Sequence, residues 1–319
     1  MTITPHDYYN NYFSFMKTVA IITRTKNRPL TLKRTFDSIK QQSFKDYQWV
    51  IVNDGGDYVS VNSIANEAQL IGMNVITVHN DKTVGMEACS NIGITNSSSR
   101  YIVLLDDDDT WHPDFLKKTI GFLEEPCNKT CKGVITKTSV IEEFFLKNNI
   151  VTICSYPFAP GLEYVSLFEL TKRNYIANLS FVYCRDALET VGLYREDYPV
   201  VGDWEFNIRF FRTFDIGFIP EYLANCHRRN QSIGSSYNQS DVNNIHSKYC
   251  TILRNELFRQ DLNNNAIGLG FAANIAHEIN QLERTIRRGS LVYLSKNIGF
   301  NLYKKLISYY KILSYSFKR

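Results

Sequence analysis

Four consecutive aspartates, Asp106 to Asp109, directly follow the apolar run Tyr101 to Leu105. Carboxylates this close repel one another, at a cost of about 4 kcal/mol for two unit charges about 4 Å apart at an effective dielectric constant near 20. A divalent cation would offset this repulsion, and hard oxygen ligands favour Mg²⁺ or Mn²⁺. The alternative is a solvated acidic turn that caps the helix after Pro113. Because all four aspartates follow one apolar strand, the pattern favours a metal site.

Two later segments offer groups for proton transfer and for anion binding. Gly202 and Asp203 precede a helical pattern, so Asp203 is either a general base for a hydroxyl nucleophile or a plain helix N-cap. Taken by itself, that segment favours the cap. His227 is followed by Arg228 and Arg229, a combination that suits a phosphate or a metal-bound phosphate and equally a basic surface turn.

The elements that must position these groups alternate along the first third of the chain. Apolar runs at 19–23, 49–52, 75–78 and 101–105 are separated by three helical patterns. Continuous apolar strands with helical crossovers predict a parallel sheet that is covered on both faces. Ligands gather at the carboxyl ends of such strands. All four ends are polar here, namely Arg24–Arg28, Asn53–Gly56, His79–Asp81 and Asp106–Asp109.

The rest of the chain changes character twice. Residues 111–235 mix strand and helix signals, with strands predicted at 133–141 and 179–183 and a helix at 204–211. From about residue 241 the pattern is helical. We therefore expect a nucleotide-binding α/β half, a mixed second half and a helical C-terminal region.

The composition is that of a globular protein. Of the 319 residues, 44% are hydrophobic and 21% are charged, which argues against disorder. The sequence contains no run of about 18 apolar residues, so no transmembrane helix is predicted. The first seventeen residues lack the pattern of a secretory signal. The seven cysteines form no disulfide framework, which favours a reducing compartment. We therefore expect a cytoplasmic location.

The positive charge is concentrated at the end of the chain. Residues 284–319 contain 9 Lys or Arg and no Asp or Glu, and Leu302, Leu306, Tyr309 and Leu313 recur there at helical spacing. This pattern predicts either a helix that lies on an anionic membrane, at the inner face of the cell membrane, or a helix packed on the globular domain. The aromatic residues form no stacking platform, so nucleic acid is not an expected partner.

The motifs occur in an order that resembles the inverting enzymes of glycosyltransferase family 2, which have the GT-A fold. The matching segments cover roughly residues 18–235. They are Gln42-Ser43-Phe44, Val52-Asn53-Asp54-Gly55, Gly85 with Ala88, Asn91 and Gly93, Asp106 to Asp109 with Trp111 and Pro113, Val191-Gly192-Leu193-Tyr194, and Gly202-Asp203-Trp204. Three positions depart from the family pattern. Thr23-Arg24-Thr25 replaces a Pro-containing loop, Ser90 stands where Arg is common, and Gly202 stands where Glu is usual.

The resemblance implies a role for each matching residue. Asp54 would contact the nucleotide base, Thr23 and Arg28 would line its pocket, and Asn91 would lie near the ribose or diphosphate. Asp106 and Asp107 would bind the nucleotide sugar, and Asp106 and Asp108 would form the Mn²⁺ or Mg²⁺ motif with Asp108 as direct ligand. His227 would add a metal or diphosphate contact. Asp203 would be the base that deprotonates the acceptor.

We therefore expect an α/β protein with a GT-A fold, whose Rossmann-like, mostly parallel sheet is flanked by helices and followed by a helical C-terminal extension. The regions would be an N-terminal extension (1–17), a nucleotide-sugar-binding half (18–110), an acceptor-binding half (111–240) and a basic helical region (241–319). The expected activity is metal-dependent, inverting transfer from a nucleotide sugar, taken to be UDP-linked, to a carbohydrate or lipid-linked glycan acceptor in bacterial surface polysaccharide synthesis.

Two other functions remain open at this point. A nucleotidyltransferase on a similar sheet should carry a Gly-rich loop after its first strand, and Arg24 to Asn27 contains no glycine. A non-catalytic sugar-binding scaffold would not need both Asp108 and Asp203. Hydrolysis of a nucleotide sugar would exclude the scaffold.

Overall fold

The computed structural model describes residues 17–146, 149–229, 239–265 and 267–289. Strands and helices alternate in the first part of the chain: β1 (Val19–Thr25), α1 (Pro29–Lys40), β2 (Tyr47–Asp54), α2 (Tyr58–Leu70), β3 (Asn74–Asn80), α3 (Met86–Thr95) and β4 (Tyr101–Leu104). Then follow β5 (Thr110–Trp111), α4 (Phe115–Glu124), β6 (Cys131–Leu146), β7 (Asn149–Pro157), α5 (Leu167–Lys172), β8 (Phe181–Cys184), α6 (Leu188–Val191), α7 (Gly202–Phe211), β9 (Asp215–Arg229), α8 (Gln239–Asn263) and α9 (Leu269–Gly289).

The first helices start where the local sequence favours a start. Pro29 occupies the first turn of α1, where its fixed φ suits a helix and its missing N–H costs nothing. Asp57 caps α2, because its carboxylate accepts hydrogen bonds from the backbone N–H groups of Val59 (3.1 Å) and Ser60 (3.0 Å). Gly85 precedes α3 with φ of 103°, a conformation that a side chain would strain.

The sheet has the strand order β3-β2-β1-β4-β8-β6-β9-β5, and β7 pairs with β6. Strands β3, β2, β1 and β4 are parallel, as the sequence predicted. The pairs β4–β8, β6–β8 and β5–β9 are antiparallel. The chain runs outward from β1 through β2 to β3 and then returns to the other side of β1 with β4. Adjacent parallel strands β1 and β4 therefore define a topological switch point, where ligands bind in open α/β sheets.

The core of this region explains why three of the four parallel strands, β1, β2 and β4, contain continuous apolar runs. Val19 to Ile22 of β1, Trp49 to Val52 of β2 and Tyr101 to Leu104 of β4 are all buried. Helix α1 covers one face of the sheet through Phe36, whose ring stacks on Trp49 with centroids 5.8 Å apart. Strands that are covered on both faces leave polar residues only at their ends, which concentrates the polar chemistry there.

The chain forms two compact units. Within the described residues, the first unit combines 17–139, 158–165 and 176–226, and the second combines 140–157, 166–175 and 227–289. Strands β6 and β9 each run from the first unit into the second, and the predicted region boundaries at 110 and 240 stay predictions. The roles predicted for the two halves stay predictions.

The second unit contains the helical C-terminal region that the sequence predicted. In it, α9 packs on α8 and on α5. At Gly270, a Cβ atom would lie 2.2 Å from the backbone of Leu257, so this helix contact requires glycine. No helix in the described part of the chain is both long enough and apolar enough to cross a membrane. The predicted membrane-binding segment, residues 290–319, lies outside the described residues.

Candidate active site

The acidic turn after β4 is anchored to β1 by an arginine. Arg24 Nε donates to Asp106 Oδ1 (2.8 Å) and Arg24 Nη2 donates to Asp106 Oδ2 (2.7 Å), a bidentate ion pair. Burial opposes the charge of Arg24, but the Asp106 and Glu87 carboxylates outweigh it and raise the arginine pKa above its ordinary value. Arg24 therefore stays charged and fixes the orientation of Asp106.

The next two aspartates share a second arginine. Arg28 Nη1 lies 3.1 Å from Asp107 Oδ1 and 3.3 Å from Asp108 Oδ2. Asp107 also accepts a hydrogen bond from the Thr25 hydroxyl at 2.7 Å. Burial, followed by repulsion from Asp108, raises the pKa of Asp107 to about 6, although Arg28 opposes the shift. Negative charge is thus in excess at this turn despite both arginines.

Helix α1 holds the backbone of the same turn. The Thr35 hydroxyl donates to the Asp109 carbonyl at 2.9 Å, Arg34 donates to the Asp108 carbonyl, and the Ser38 hydroxyl accepts from Trp111 N at 2.7 Å. These bonds fix the path of the chain between β4 and β5. The carboxylate groups are therefore presented by a rigid backbone and not by a loose loop.

Asp54 is the last residue of β2, and its carboxylate accepts hydrogen bonds from the backbone just before α3. Its Oδ1 accepts from Val84 N at 2.7 Å and its Oδ2 accepts from Gly85 N at 3.3 Å. The same strand-end edge carries Asp54, Arg28 and the acidic turn. The structure therefore brings together these sequence-predicted residues at the carboxyl ends of β1, β2 and β4. Whether Asp54 contacts a base stays a prediction.

Two sequence-predicted site residues direct their side chains elsewhere. Thr23 is fully buried, and its hydroxyl accepts a hydrogen bond from the Trp49 indole at 2.9 Å. Asn91 bonds the backbone of Tyr194 through both of its amide atoms, and its Nδ2 also donates to Glu196 at 2.9 Å. The residues of β1 that reach the acidic turn are Arg24 and Thr25, which the sequence did not single out as site residues.

Asp203 lies within the first turn of α7. The N-cap of this helix is Val201, at a left-handed φ of 59°, so Asp203 is not the plain N-cap that its segment favoured. Its Oδ1 accepts from Trp204 N at 2.7 Å, which satisfies one backbone donor of the first turn. A β-branched residue at positive φ is a strained conformation, and such strain is often found at functional sites.

Glu87, in the first turn of α3, is a site residue that the sequence did not reveal. Its side chain is 5% exposed, its Oε2 lies 3.9 Å from Arg24 Nη1, and that oxygen has no hydrogen-bond partner. Burial raises the pKa of Glu87 to about 7; Arg24 opposes the shift, whereas Asp203, Asp106 and Glu205 add to it. The only sequence signals were an acidic residue after Gly85 and a glycine at 202.

Two departures from the family motifs have counterparts in the structure. Ser90, which stands where arginine is common, accepts a hydrogen bond at 3.1 Å from Arg24, so β1 supplies an arginine at that place. Gly202, which stands where glutamate is usual, faces the carboxyl group of Glu87, since a Cβ at 202 would lie 2.6 Å from it. An arginine and a glutamate are therefore present at these two places, but Arg24 comes from β1 and Glu87 from α3.

His227 lies in the second unit, where its Nδ1 is 2.9 Å from Glu143 Oε2. Glu143 is buried, and His227 is half-buried. The predicted contact of His227 with a metal or a diphosphate stays a prediction.

The acidic turn fits a divalent cation that is completed by substrate. Across the described ranges, no group of three or more His, Cys, Asp or Glu side chains could hold a metal ion. Asp106 and Asp108 are, however, partly exposed, at 34% and 16%, and repulsion from Asp108 adds to the burial that raises the pKa of Asp107 between them. Mg²⁺ is usually held by one or two carboxylates together with substrate phosphates and waters, and this donor set matches that description.

Comparison with known proteins bears on the family and the fold of the chain. The model of the family described as "Glycosyl transferase family 2" matches residues 20–191. A "PGL/p-HBAD biosynthesis glycosyltransferase" of Mycobacterium bovis is 29% identical over 196 residues, which cover 60% of this chain and 69% of that protein.

Two of the solved structures that share the fold illustrate the similarity. Staphylococcus aureus TarS 1-349 in complex with UDP has a TM-score of 0.51 at 14% identity, over 66% of this chain and 60% of that chain. Less than two thirds of TarS is therefore matched. The mannosyltransferase PcManGT from Pyrobaculum calidifontis, in complex with GDP-Man and Mn²⁺, has a TM-score of 0.56 at 13% identity, over 95% and 85%.

Proposed function

Because the chain belongs to glycosyl transferase family 2 and is thus a sugar-transferring enzyme, we propose that it carries out metal-dependent, inverting transfer from a UDP-sugar to a carbohydrate acceptor. The observation that carries this proposal is the grouping, in one compact unit, of an acidic turn with excess negative charge and the helix start that bears Asp203. Glu87 faces both of them. A donor diphosphate and an acceptor hydroxyl would meet between these two features.

The donor would lie along the carboxyl ends of β1, β2 and β4. Asp54 would accept hydrogen bonds from the nucleotide base, and Arg28 would lie beside the phosphates. Asp106, oriented by Arg24, would contact the ribose or diphosphate. Asn91 would act at the diphosphate by exchanging its bonds to Tyr194 for bonds to the donor.

Asp108 and Asp106 would hold Mn²⁺ or Mg²⁺ together with the phosphate oxygens. Such a cation neutralises the charge that develops on a departing nucleoside diphosphate. The protein's own contribution is to hold the two carboxylates on the rigid turn that α1 supports. His227 would add a contact to the diphosphate or to the cation.

Asp203 would take the proton of the acceptor hydroxyl. The hydroxyl oxygen forms a bond to the anomeric carbon, the bond from that carbon to the diphosphate oxygen breaks, and the nucleoside diphosphate leaves with the bonding electrons. Attack from the face opposite to the leaving group inverts the anomeric configuration. General base catalysis of this kind contributes about 10²–10⁴-fold.

The donor and acceptor classes rest on the relatives. GDP-Man is bound to one structural neighbour, whereas UDP and UDP-GlcNAc are bound to another, and we choose UDP on the basis of the second neighbour. The acceptor would be a carbohydrate or a lipid-linked glycan of a bacterial surface polysaccharide. A cytoplasmic location, with peripheral contact of residues 290–319 at the inner face of the membrane, would suit a lipid-linked acceptor.

The test is a panel of nucleotide sugars, each with and without Mn²⁺, read by thermal shift and by release of nucleoside diphosphate. A ligand present at about 100 times its dissociation constant should add about 2.7 kcal/mol of stability. We expect the largest shift with a UDP-sugar and Mn²⁺, and its loss in Asp108→Ala. Pyrophosphate release from UTP and a sugar phosphate would identify a nucleotidyltransferase instead. Binding without any turnover would identify a non-catalytic scaffold.

A further inference from the structure

Glu87 is a buried carboxyl group that the proposed reaction does not use directly. Its side chain is enclosed, and Oε2 lacks a hydrogen-bond partner. Burying a carboxyl group without a full set of partners is unfavourable. An acidic residue at such a position therefore suggests a role beyond packing.

On one side Glu87 faces Arg24. Its Oε2 is 3.9 Å from Arg24 Nη1. The other edge of the same guanidinium, Nε and Nη2, donates two hydrogen bonds to Asp106. Nη1 also donates to the Ser90 hydroxyl at 3.1 Å. The guanidinium thus lies between two carboxyl groups, and Glu87 limits how far Arg24 can neutralise Asp106.

On the other side Glu87 touches the start of α7. A Cβ atom at Gly202 would lie 2.6 Å from both Cδ and Oε1 of Glu87. No side chain at position 202 is compatible with the present position of this carboxyl group. The residue after Gly202 is Asp203, so Glu87 packs on the backbone that carries the proposed base.

We propose that Glu87 is a positioning residue for sugar transfer: it sets Arg24, and through it Asp106, on the donor side, and it supports the first turn of α7, and thereby Asp203, on the acceptor side. This inference rests on the proposed function, because the two sides have meaning only for a donor and an acceptor. Glu87 does not touch either substrate.

The charged groups around Glu87 agree with this role. Arg24 of β1 favours its ionised form, and Asp106 after β4, together with Asp203 and Glu205 of α7, disfavours it. Burial and Tyr183 raise the pKa of the buried Tyr194 hydroxyl, and the Glu87 charge adds to that shift. Glu87 therefore interacts electrostatically with both the donor-side and the acceptor-side carboxylates.

The test is a double-mutant cycle in the full chain. In Gly202→Ala the new methyl group should displace the Glu87 carboxyl from both Arg24 and the start of α7, which should lower kcat, raise the donor KM and thus lower kcat/KM at least 10-fold. Glu87→Ala should lower kcat/KM at least 10-fold. The double variant Glu87→Ala/Gly202→Ala should be no worse than Glu87→Ala, because the methyl group then has room. Gly121→Ala, at a helical glycine with open space around it, is the matched control.

A second variant separates charge from shape. Glu87→Gln keeps the shape of the side chain and should raise the donor KM about 10-fold, while its melting temperature equals that of the wild type near pH 4.5 and is not lower at the assay pH. Glu67→Gln, at an exposed carboxylate, is its control. An unchanged donor KM in Glu87→Gln would contradict the proposed link from Glu87 through Arg24 to Asp106. Independent, multiplicative losses in kcat/KM for the 87 and 202 changes would also overturn the proposal.

Unfolding free energies of the same four proteins, measured without substrate, separate this inference from the proposed function. Coupling between positions 87 and 202 in stability alone, with none in transfer, would make Glu87 a packing residue and contradict the inference. Absence of transfer by the wild type with every nucleotide sugar would instead refute the proposed function, and the inference with it.

Discussion

Asn91 and Tyr194 are joined by two hydrogen bonds that bridge α3 to the segment before α7. Asn91 Nδ2 donates to the Tyr194 carbonyl at 2.9 Å, and Asn91 Oδ1 accepts from the Tyr194 N–H at 3.0 Å. Both side chains are buried. One amide side chain thus pairs both backbone groups of a residue about a hundred positions away, much as a neighbouring strand would.

We expect Asn91→Ala to lower the unfolding free energy by about 2–4 kcal/mol, because two backbone groups of Tyr194 lose their partners in a buried place. Urea denaturation followed by circular dichroism measures this. Asn66→Ala, on the exposed side of α2, should change stability by no more than about 0.5 kcal/mol. A stable Asn91→Ala protein with weakened nucleotide binding would instead support the donor contact predicted for Asn91.

Asp108→Ala should abolish transfer and remove the gain in nucleotide affinity that Mn²⁺ provides. The reason is that Asp108 is one of the two partly exposed carboxylates of the acidic turn. Calorimetry with UDP, with and without Mn²⁺, measures the gain, and Asp37→Asn on α1 serves as a control. Turnover that stays near normal and insensitive to chelators would contradict the metal assignment.

Asp203→Asn should reduce transfer by about 10²–10⁴-fold and leave donor affinity unchanged. Asparagine keeps the oxygen that accepts from Trp204 N but cannot take up the acceptor's proton. Turnover with acceptor and nucleotide affinity should be measured on one preparation. Normal turnover of Asp203→Asn would show that another residue is the general base. Glu205 and Asp197 would be next, although the first is ion-paired with Arg209 and the second with Arg195.

Glu87 should make stability depend on pH. Burial raises its pKa from 4.5 to about 7, so the folded protein binds this proton more tightly than the unfolded chain does. The contribution of Glu87 to the free energy of unfolding is fully present below about pH 4.5 and is lost as the pH rises through 7. Relative to Glu87→Gln, the wild type should lose up to about 3 kcal/mol between pH 4.5 and 8. Parallel stability curves for the two proteins would contradict the raised pKa.

Deletion of residues 290–319 should release the protein from anionic vesicles and leave nucleotide binding intact. The basis is the run of basic residues without an acidic one in that sequence. Sedimentation with vesicles that contain phosphatidylserine, compared with neutral vesicles, measures binding. Equal binding by both forms would contradict the membrane prediction. Loss of solubility on deletion would favour the packed helix.

The four parallel strands were predictable because each is a continuous apolar run that ends in a polar cluster. Side-chain direction at the strand ends was harder to predict. Neighbouring strand residues point to opposite faces, so a shift of one position separates buried Thr23 from Arg24, which binds Asp106. Glu87 could not be found from sequence, because its importance arises from a contact with Gly202, far along the chain. Strand β9 was missed as well, since Pro220 and polar residues interrupt its pattern.

The position of β4 between β1 and β8 has a consequence for biosynthesis. Strand β1 precedes β4 in the chain, but β8 follows it by about 80 residues, so a ribosome working at about 5–20 residues per second needs roughly 4–16 s to supply the second neighbour. During that interval the nascent chain exposes one apolar strand edge. We expect chaperone demand, and losses to aggregation, to fall in this translational window and to depend on codon speed between β4 and β8.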